Sequence, residues 1–309
     1  MQIPISLIDS QKGEGKAQSC EIPSVYVAHP THYSVASPSS KSGETLKQFL
    51  VLIFLCLSFQ AGEKDSVGSV LAFATSSNKI VIGADSRELT LWSNGRADRF
   101  DKCKVVTLDG TYVFAAVGRS GHHSQGHPEA TWDIFDMVRE IARKDHTAGS
   151  LGRVAADWGN EVAKMDNRDS PDFTDFEGQH AIFAGFIGGH PTIYQVIVTK
   201  NAAGPYQPDV QQPSLQNGSI VASGYGKQIA EEFAAGRTDR AKSWMADFRK
   251  DHAPELNSWD TAVAPLVKRV LELTIANSAE KDTSGPPIDL VEIRPTGVHW
   301  LEKKPNCPE

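Results

Sequence analysis

GSVLAFATSSNKIVIGADSRE, at 68–88, and DKCKVVTLDGTYVFAAVG, at 101–118, decide the fold. Together they hold four apolar runs of strand length with turn chemistry between them. Residues 69–74 and 79–84 are rich in Val, Ile, Leu and Ala and flank Thr75-Ser76-Ser77-Asn78, a polar turn. Residues 104–108 and 111–117 flank Asp109-Gly110, a pair suited to the positive φ of a type I′ turn. Two consecutive antiparallel hairpins are predicted.

Register says which side chains can meet. A first turn centred on Ser76-Ser77 or Ser77-Asn78 sets Ser69 beside Asp85. A two-residue turn at Asp109-Gly110 pairs Lys104 with Ala115 and brings Gly118 near the 101–102 end. Lys102 and Lys104 are two apart, so both are expected on one face of their strand. Ionisable groups at the mouth of an apolar sheet are costly to bury without partners. A hydroxyl, a carboxylate and a lysine are therefore expected to converge at one sheet end.

The 309 residues, 40% of them hydrophobic, suffice for one large domain with a substantial core. Lys plus Arg number 31 against 38 Asp plus Glu, a formal charge of −7 without a basic cluster, which argues against a nucleic-acid partner. Residues 1–45 are polar, Ser- and Pro-rich and without periodicity, and read as a disordered extension or one outside the natural chain. In the second case translation would start near residue 46. FLVLIFLCLSF at 49–59 is too short to span a bilayer but matches the apolar core of a signal peptide, so 46–62 reads as an export segment. Without export the protein would be cytoplasmic. No stable membrane span is expected.

Beyond Gly118, His122, His123 and His127 fall within six residues. They lack a His-Glu-x-x-His pattern and read as a polar loop, so neither metal nor cofactor is expected. Helical spacing is read at 129–144 and 149–165, with a polar loop at 167–178. A hairpin at 181–187 and 192–199 turns over Gly188-Gly189, and a strand follows at 219–222. Helices are read at 227–235 and 261–278, and a last hairpin at 288–293 and 298–301. Two sheets with helices on their outer faces satisfy this order. Residues 303–309 read as a loose tail carrying Cys307. Cys20, Cys56, Cys103 and Cys307 show no zinc spacing, and Cys103 and Cys307 are expected as free thiols.

The stretch resembles the N-terminal half of proteasome-type subunits, members of the N-terminal-nucleophile (Ntn) hydrolases. Ala84-Asp85-Ser86-Arg87 matches that family's Ala-Asp-Ser-Arg signature, and 104–118 matches its lysine strand and closing Gly without a gap. Counting back from Asp85 by the family's spacing reaches Ser69, preceded by Gly68. The family usually has Thr there, and one extra turn residue would shift the position to Gly68. Ala222-Ser223-Gly224 resembles a Gly-Ser-Gly element. Asp282-Thr283-Ser284-Gly285-Pro286 resembles Asp-x-x-Ser-Gly-Gly, one residue short and with one Gly replaced.

The resemblance covers 67–302 and implies an α+β fold, a four-layer αββα sandwich. It implies an amidohydrolase of peptide or other amide bonds, with further copies of the chain as possible partners. Ser69 would be both nucleophile and, through its α-amine, base, once Gly68–Ser69 is cut. Lys104 would tune that amine, with Asp85 as counter-ion, and Lys102 is the competing lysine. The Gly118 N–H would meet the oxyanion, and Ser223, Asp282 and Ser284 would support the amine and a water. The competing implication is a non-catalytic scaffold resembling α-type subunits.

Overall fold

In a computed structural model of the chain, the described residues are 70–91, 97–123, 130–144, 150–169, 178–200, 204–213, 220–224, 226–277, 284–305 and 307. The expectations for 1–62 and for Gly68, Ser69, His127 and Asp282 lie outside them. Among the described residues no helix is long and apolar enough to cross a membrane.

The architecture is mixed α+β, with two five-stranded antiparallel sheets and five α-helices among the described residues. The first sheet joins β1 (Val70–Thr75), β2 (Ile80–Ala84), β12 (Ile220–Gly224), β13 (Asp289–Arg294) and β14 (Gly297–Glu302) in the order β12-β1-β2-β13-β14. The second joins β5 (Val105–Leu108), β6 (Tyr112–Val117), β9 (Gln179–Ile187), β10 (His190–Lys200) and β11 (Tyr206–Gln211) in the order β11-β10-β9-β6-β5. Two small ribbons pair β3 (Arg87–Leu91) with β4 (Ala97–Asp101), and β7 (Gly121–His123) with β8 (Ala130–Asp133). The helices are α1 (Ile134–Lys144), α2 (Leu151–Asp169), α3 (Gly226–Ala235), α4 (Asp239–Asp251) and α5 (Trp259–Asn277).

Period-two alternation explains why the central strands carry no polar face. In β1, Val70, Ala72 and Ala74 join a cluster with Phe233, Phe248, Leu266 and Val270 of the last three helices. Leu71 and Phe73 point the other way, into a cluster with Val113, Ala115, Ile182 and Ala184 of the second sheet. The alternate residues of those strands, Phe114, Ala116, Ala181 and Phe183, pack with Trp158 and Val162 of α2 and Phe135 of α1. Trp158 is fully buried, edge-on to Phe114 and Phe183 at centroid distances of 5.3 and 5.8 Å.

Several local expectations are revised. The β5–β6 loop has three residues, because Leu108 pairs with Tyr112. Asp109 and Gly110 both take positive φ, 51° and 69°, and Thr111 completes the turn by donating its N–H to Leu108 O at 3.3 Å. The register therefore slips by one, and the Ala116 N–H meets Lys104 O at 3.3 Å. Ala130–Asp133, expected as helix, is strand β8, and α2 runs on to Asp169 into the expected loop. The sequence pattern predicts none of strands β3, β4, β7 and β11, nor helix α4; His122 and His123, expected in a polar loop, lie in β7. Helix α4 buries only Ala241 and Phe248, too thin a stripe for a periodic signal. Its start is set by Thr238, whose hydroxyl accepts the Ala241 N–H at 3.0 Å.

Lys304 and Cys307 of the tail are buried, and the two thiols expected to be free form a Cys103–Cys307 disulfide. Bridging needs the chain end to fold back over the domain. It does so because Lys304, two residues past β14, donates its backbone N–H to Asp289 Oδ1 at 3.1 Å, and Cys307 N–H closes a turn onto Lys304 O at 3.2 Å.

Candidate functional site

The start of β1, the ends of β2 and β12, and the loop before β13 meet at one end of the first sheet. Leu71 pairs with Ala84 on one side and with Ser223 on the other. The second sheet supplies the start of β5 and the end of β6, where Lys104 and Gly118 stand.

Asp85, fully buried, is the hub of this end. Its N–H donates to Val70 O at 3.1 Å, closing the β1–β2 ladder. Oδ1 accepts the Val70 N–H at 2.9 Å and the Lys104 ammonium at 3.0 Å. Oδ2 accepts the Gly285 N–H at 3.1 Å and the Arg87 N–H at 3.2 Å. A carboxylate with this many donors is fixed in orientation. Lys104 is 3% exposed and also donates to Arg87 O. The pair is buried, so removing either partner strands a charge in a poorly solvated place.

Gly285 is the residue that lets the loop close. A Cβ there would lie 2.6 Å from Arg87 Nη2 and 2.7 Å from its Nε. The guanidinium instead lies across the bare glycine, with Nη1 3.4 Å from Ser284 O. Gly285 O accepts the Ser86 N–H at 3.1 Å, so the loop is stitched to the residue after Asp85.

Ser223, Ser284 and Gly118 are all present at the expected elements. Ser223 is buried in β12 opposite Leu71. Ser284 is 1% exposed, and its hydroxyl has no hydrogen-bond partner among the described residues. Gly118 directly follows β6 with φ 110°, a conformation that side chains rarely adopt. Ser69 and Asp282 lie outside the described residues, but Ser69 is bonded directly to Val70, whose N–H is on Asp85.

Lys102 goes elsewhere. Residues 102–104 belong to no strand, so strand alternation does not govern them. Lys102 sits 2.6 Å from Asp133 and 3.3 Å from Glu88, and Glu88 also accepts from the Ser120 hydroxyl. That acidic cluster was not foreseen, because its members are scattered over about fifty residues.

A second buried pair lies beside the first. Asp289, fully buried in β13, pairs across the ladder with Ala84, the neighbour of Asp85. Its Oδ2 is 3.1 Å from Lys304 Nζ. Burial holds the Lys304 ammonium below its ordinary pKa, with Asp289 opposing that shift and Lys104 adding to it. Lys304 also donates to Lys102 O. Nothing local in the tail sequence points to this pair.

In comparisons with known proteins, no family model matches this chain and no curated protein matches it.

Proposed function

We propose that the chain is a proteasome-like Ntn hydrolase that cuts peptide or other amide bonds through Ser69, exposed by cleavage after Gly68. One observation carries the proposal: a single oxygen, Asp85 Oδ1, accepts both the N–H of the residue joined to Ser69 and the Lys104 ammonium. In this reading the two sheets and their helices form a four-layer αββα sandwich. The three apolar clusters, of which the middle one draws on both sheets, support that arrangement.

The chemistry follows from the groups. A serine hydroxyl is a weak nucleophile until a base takes its proton. A free α-amine on Ser69, with an ordinary pKa of about 8, is such a base near neutral pH. The Lys104 charge lowers the pKa of that amine and of the hydroxyl, and Asp85 holds the lysine in place. The hydroxyl oxygen attacks the amide carbonyl as its proton passes to the amine. The Gly118 N–H donates to the resulting oxyanion, a contribution of about 3 kcal/mol for a well-placed donor. The amine returns the proton to the leaving nitrogen, and a water releases the acyl group. Ser223, Ser284 and Asp282 steady the amine and that water. The nucleophile carries its own base, so the reaction calls on no metal or cofactor. Export through 46–62 fits the disulfide, which persists in oxidising compartments.

Intact-mass analysis and N-terminal sequencing of the purified protein test this. The mature chain is expected to begin at Ser69. A folded, soluble protein with its N-terminus near Gly62 would overturn the mechanism and leave a scaffold built on the same fold.

A further inference from the structure

We propose that the C-terminal segment 303–307 is a thiol-latched strap that positions Lys104. The site would be ordered while Cys103 and Cys307 are bridged and loosened when they are reduced. The consequence for turnover rests on the hydrolase reading above; the mechanical part does not.

Lys104 is carried by an irregular segment. Strand β4 ends at Asp101 and β5 starts at Val105, so no ladder on either side holds 102–104. Two main-chain bonds tether it from the domain: the Lys102 N–H donates to Ser86 O at 2.7 Å, and Lys104 O accepts the Ala116 N–H. Beside the side-chain bonds of Lys102 and Lys104 to the domain, the tail supplies two further ties. Lys304 Nζ donates to Lys102 O, and Cys307 is bonded to Cys103. Each residue next to Lys104 on its N-terminal side is thus gripped by the tail.

The tail is anchored in turn by Asp289. Lys304 uses both its backbone N–H and its ammonium on that carboxylate, each at 3.1 Å. If the tail lifts, Asp289 loses its ammonium partner in a fully buried place, one ladder step from Asp85. Burying a carboxylate without compensation is costly, so water or another cation must enter beside the Asp85–Lys104 pair. The bridge opposes this by joining residues 204 apart in sequence, which keeps the lifted states few. Without it the strap is held only by non-covalent contacts.

The switching step needs a dithiol reductant. One reductant thiolate attacks a bridge sulfur, giving a mixed disulfide and one protein thiolate. The second reductant thiol then displaces the other cysteine. Cys103 and Cys307 end as thiols and the reductant as its disulfide, with two electrons and two protons transferred to the protein.

Brief amine acylation with a succinimidyl ester, read lysine by lysine by mass spectrometry, tests the strap on the whole protein. Lys79 is the internal reference, because it is buried against Glu292 at 3.0 Å at the opposite end of β2. On treatment with dithiothreitol, labelling of Lys304 and Lys104 is expected to rise about tenfold or more while Lys79 stays unchanged, as a local opening requires. Cys307→Ser should show the reduced pattern without reductant. Unchanged Lys104 labelling, or an equal rise at Lys79, overturns the strap. Amidase turnover is followed in the same samples. A rise at Lys104 with no turnover in either state keeps the strap and counts against the hydrolase. Turnover with Lys104 labelling unmoved keeps the hydrolase and removes the strap.

Discussion

Lys104 and Lys102, two residues apart, deliver their ammonium groups to different acids. Lys104 is buried 3.0 Å from Asp85, whereas Lys102, partly exposed, lies between Glu88 and Asp133. The irregular backbone of 102–104 makes the separation possible. Lys104→Ala is expected to lower maturation or turnover by about a hundredfold or more. It should also cost about 3 kcal/mol in denaturant unfolding, because the Asp85 carboxylate loses its cation but keeps its three main-chain donors. Lys102→Ala should leave maturation intact and cost about 1–3 kcal/mol, because it removes the cation that Glu88 and Asp133 share. The reverse pattern would transfer the role to Lys102.

Gly285→Ala places a methyl against the Arg87 guanidinium. We expect a loss of about 1–3 kcal/mol, together with slower maturation, because the Gly285 N–H would be pulled from Asp85 Oδ2. Stability and rate should recover in Gly285→Ala combined with Arg87→Ala if the clash is the cause. No recovery would mean that the loop itself cannot accept a side chain.

At the far end of β2, Glu292 is buried between Lys79 at 3.0 Å and Arg294. Burial raises its pKa, but the hydrogen bonds and charges of Arg294 and Lys79 outweigh it, so the carboxyl sits below its ordinary 4.5. A carboxyl with a depressed folded-state pKa contributes stability that is complete above the unfolded value. That contribution is lost as pH falls through the folded value. Glu292→Gln should therefore be less stable than the parent at neutral pH, with the gap narrowing below about pH 4.5. A constant gap across that range in urea titrations would show that Glu292 does not set the acid limb.

Trp158 closes the core between α2 and the second sheet and donates its indole N–H to Ile134 O at 3.2 Å. Trp158→Ala should cost about 3–5 kcal/mol, measured by thermal or denaturant unfolding. A cost under 1 kcal/mol would mean that the neighbouring rings collapse into the space.

Much of the framework could be read from local spacing. Residues 70–84 and 105–117 alternate between two apolar surroundings, and their turns carry the residues that turns need, so the hairpins and the meeting of Asp85 with a lysine were legible. Period-two and period-3.6 patterns extend over neighbours, and they exist because a strand or helix must bury one side. Helix α4 was lost because it buries only two side chains. The true β5–β6 register was lost because Asp109-Gly110 is equally at home in two- and three-residue loops.

What only the tertiary structure decided depends on partners far apart in the chain. The division of labour between Lys102 and Lys104 arises where the backbone leaves the strand, so alternation has no hold there. Asp289, Lys304 and the Cys103–Cys307 bridge unite β13, the chain end and the segment before β5, and no periodicity links positions 204 residues apart. By itself the sequence determined that the central apolar runs become paired strands and that acid and amine groups would gather at one sheet end, because those follow from burial along a local period. Closure of the whole chain decided which lysine is buried and that the tail holds it, because a buried charge takes whichever opposite charge the assembled fold brings within reach.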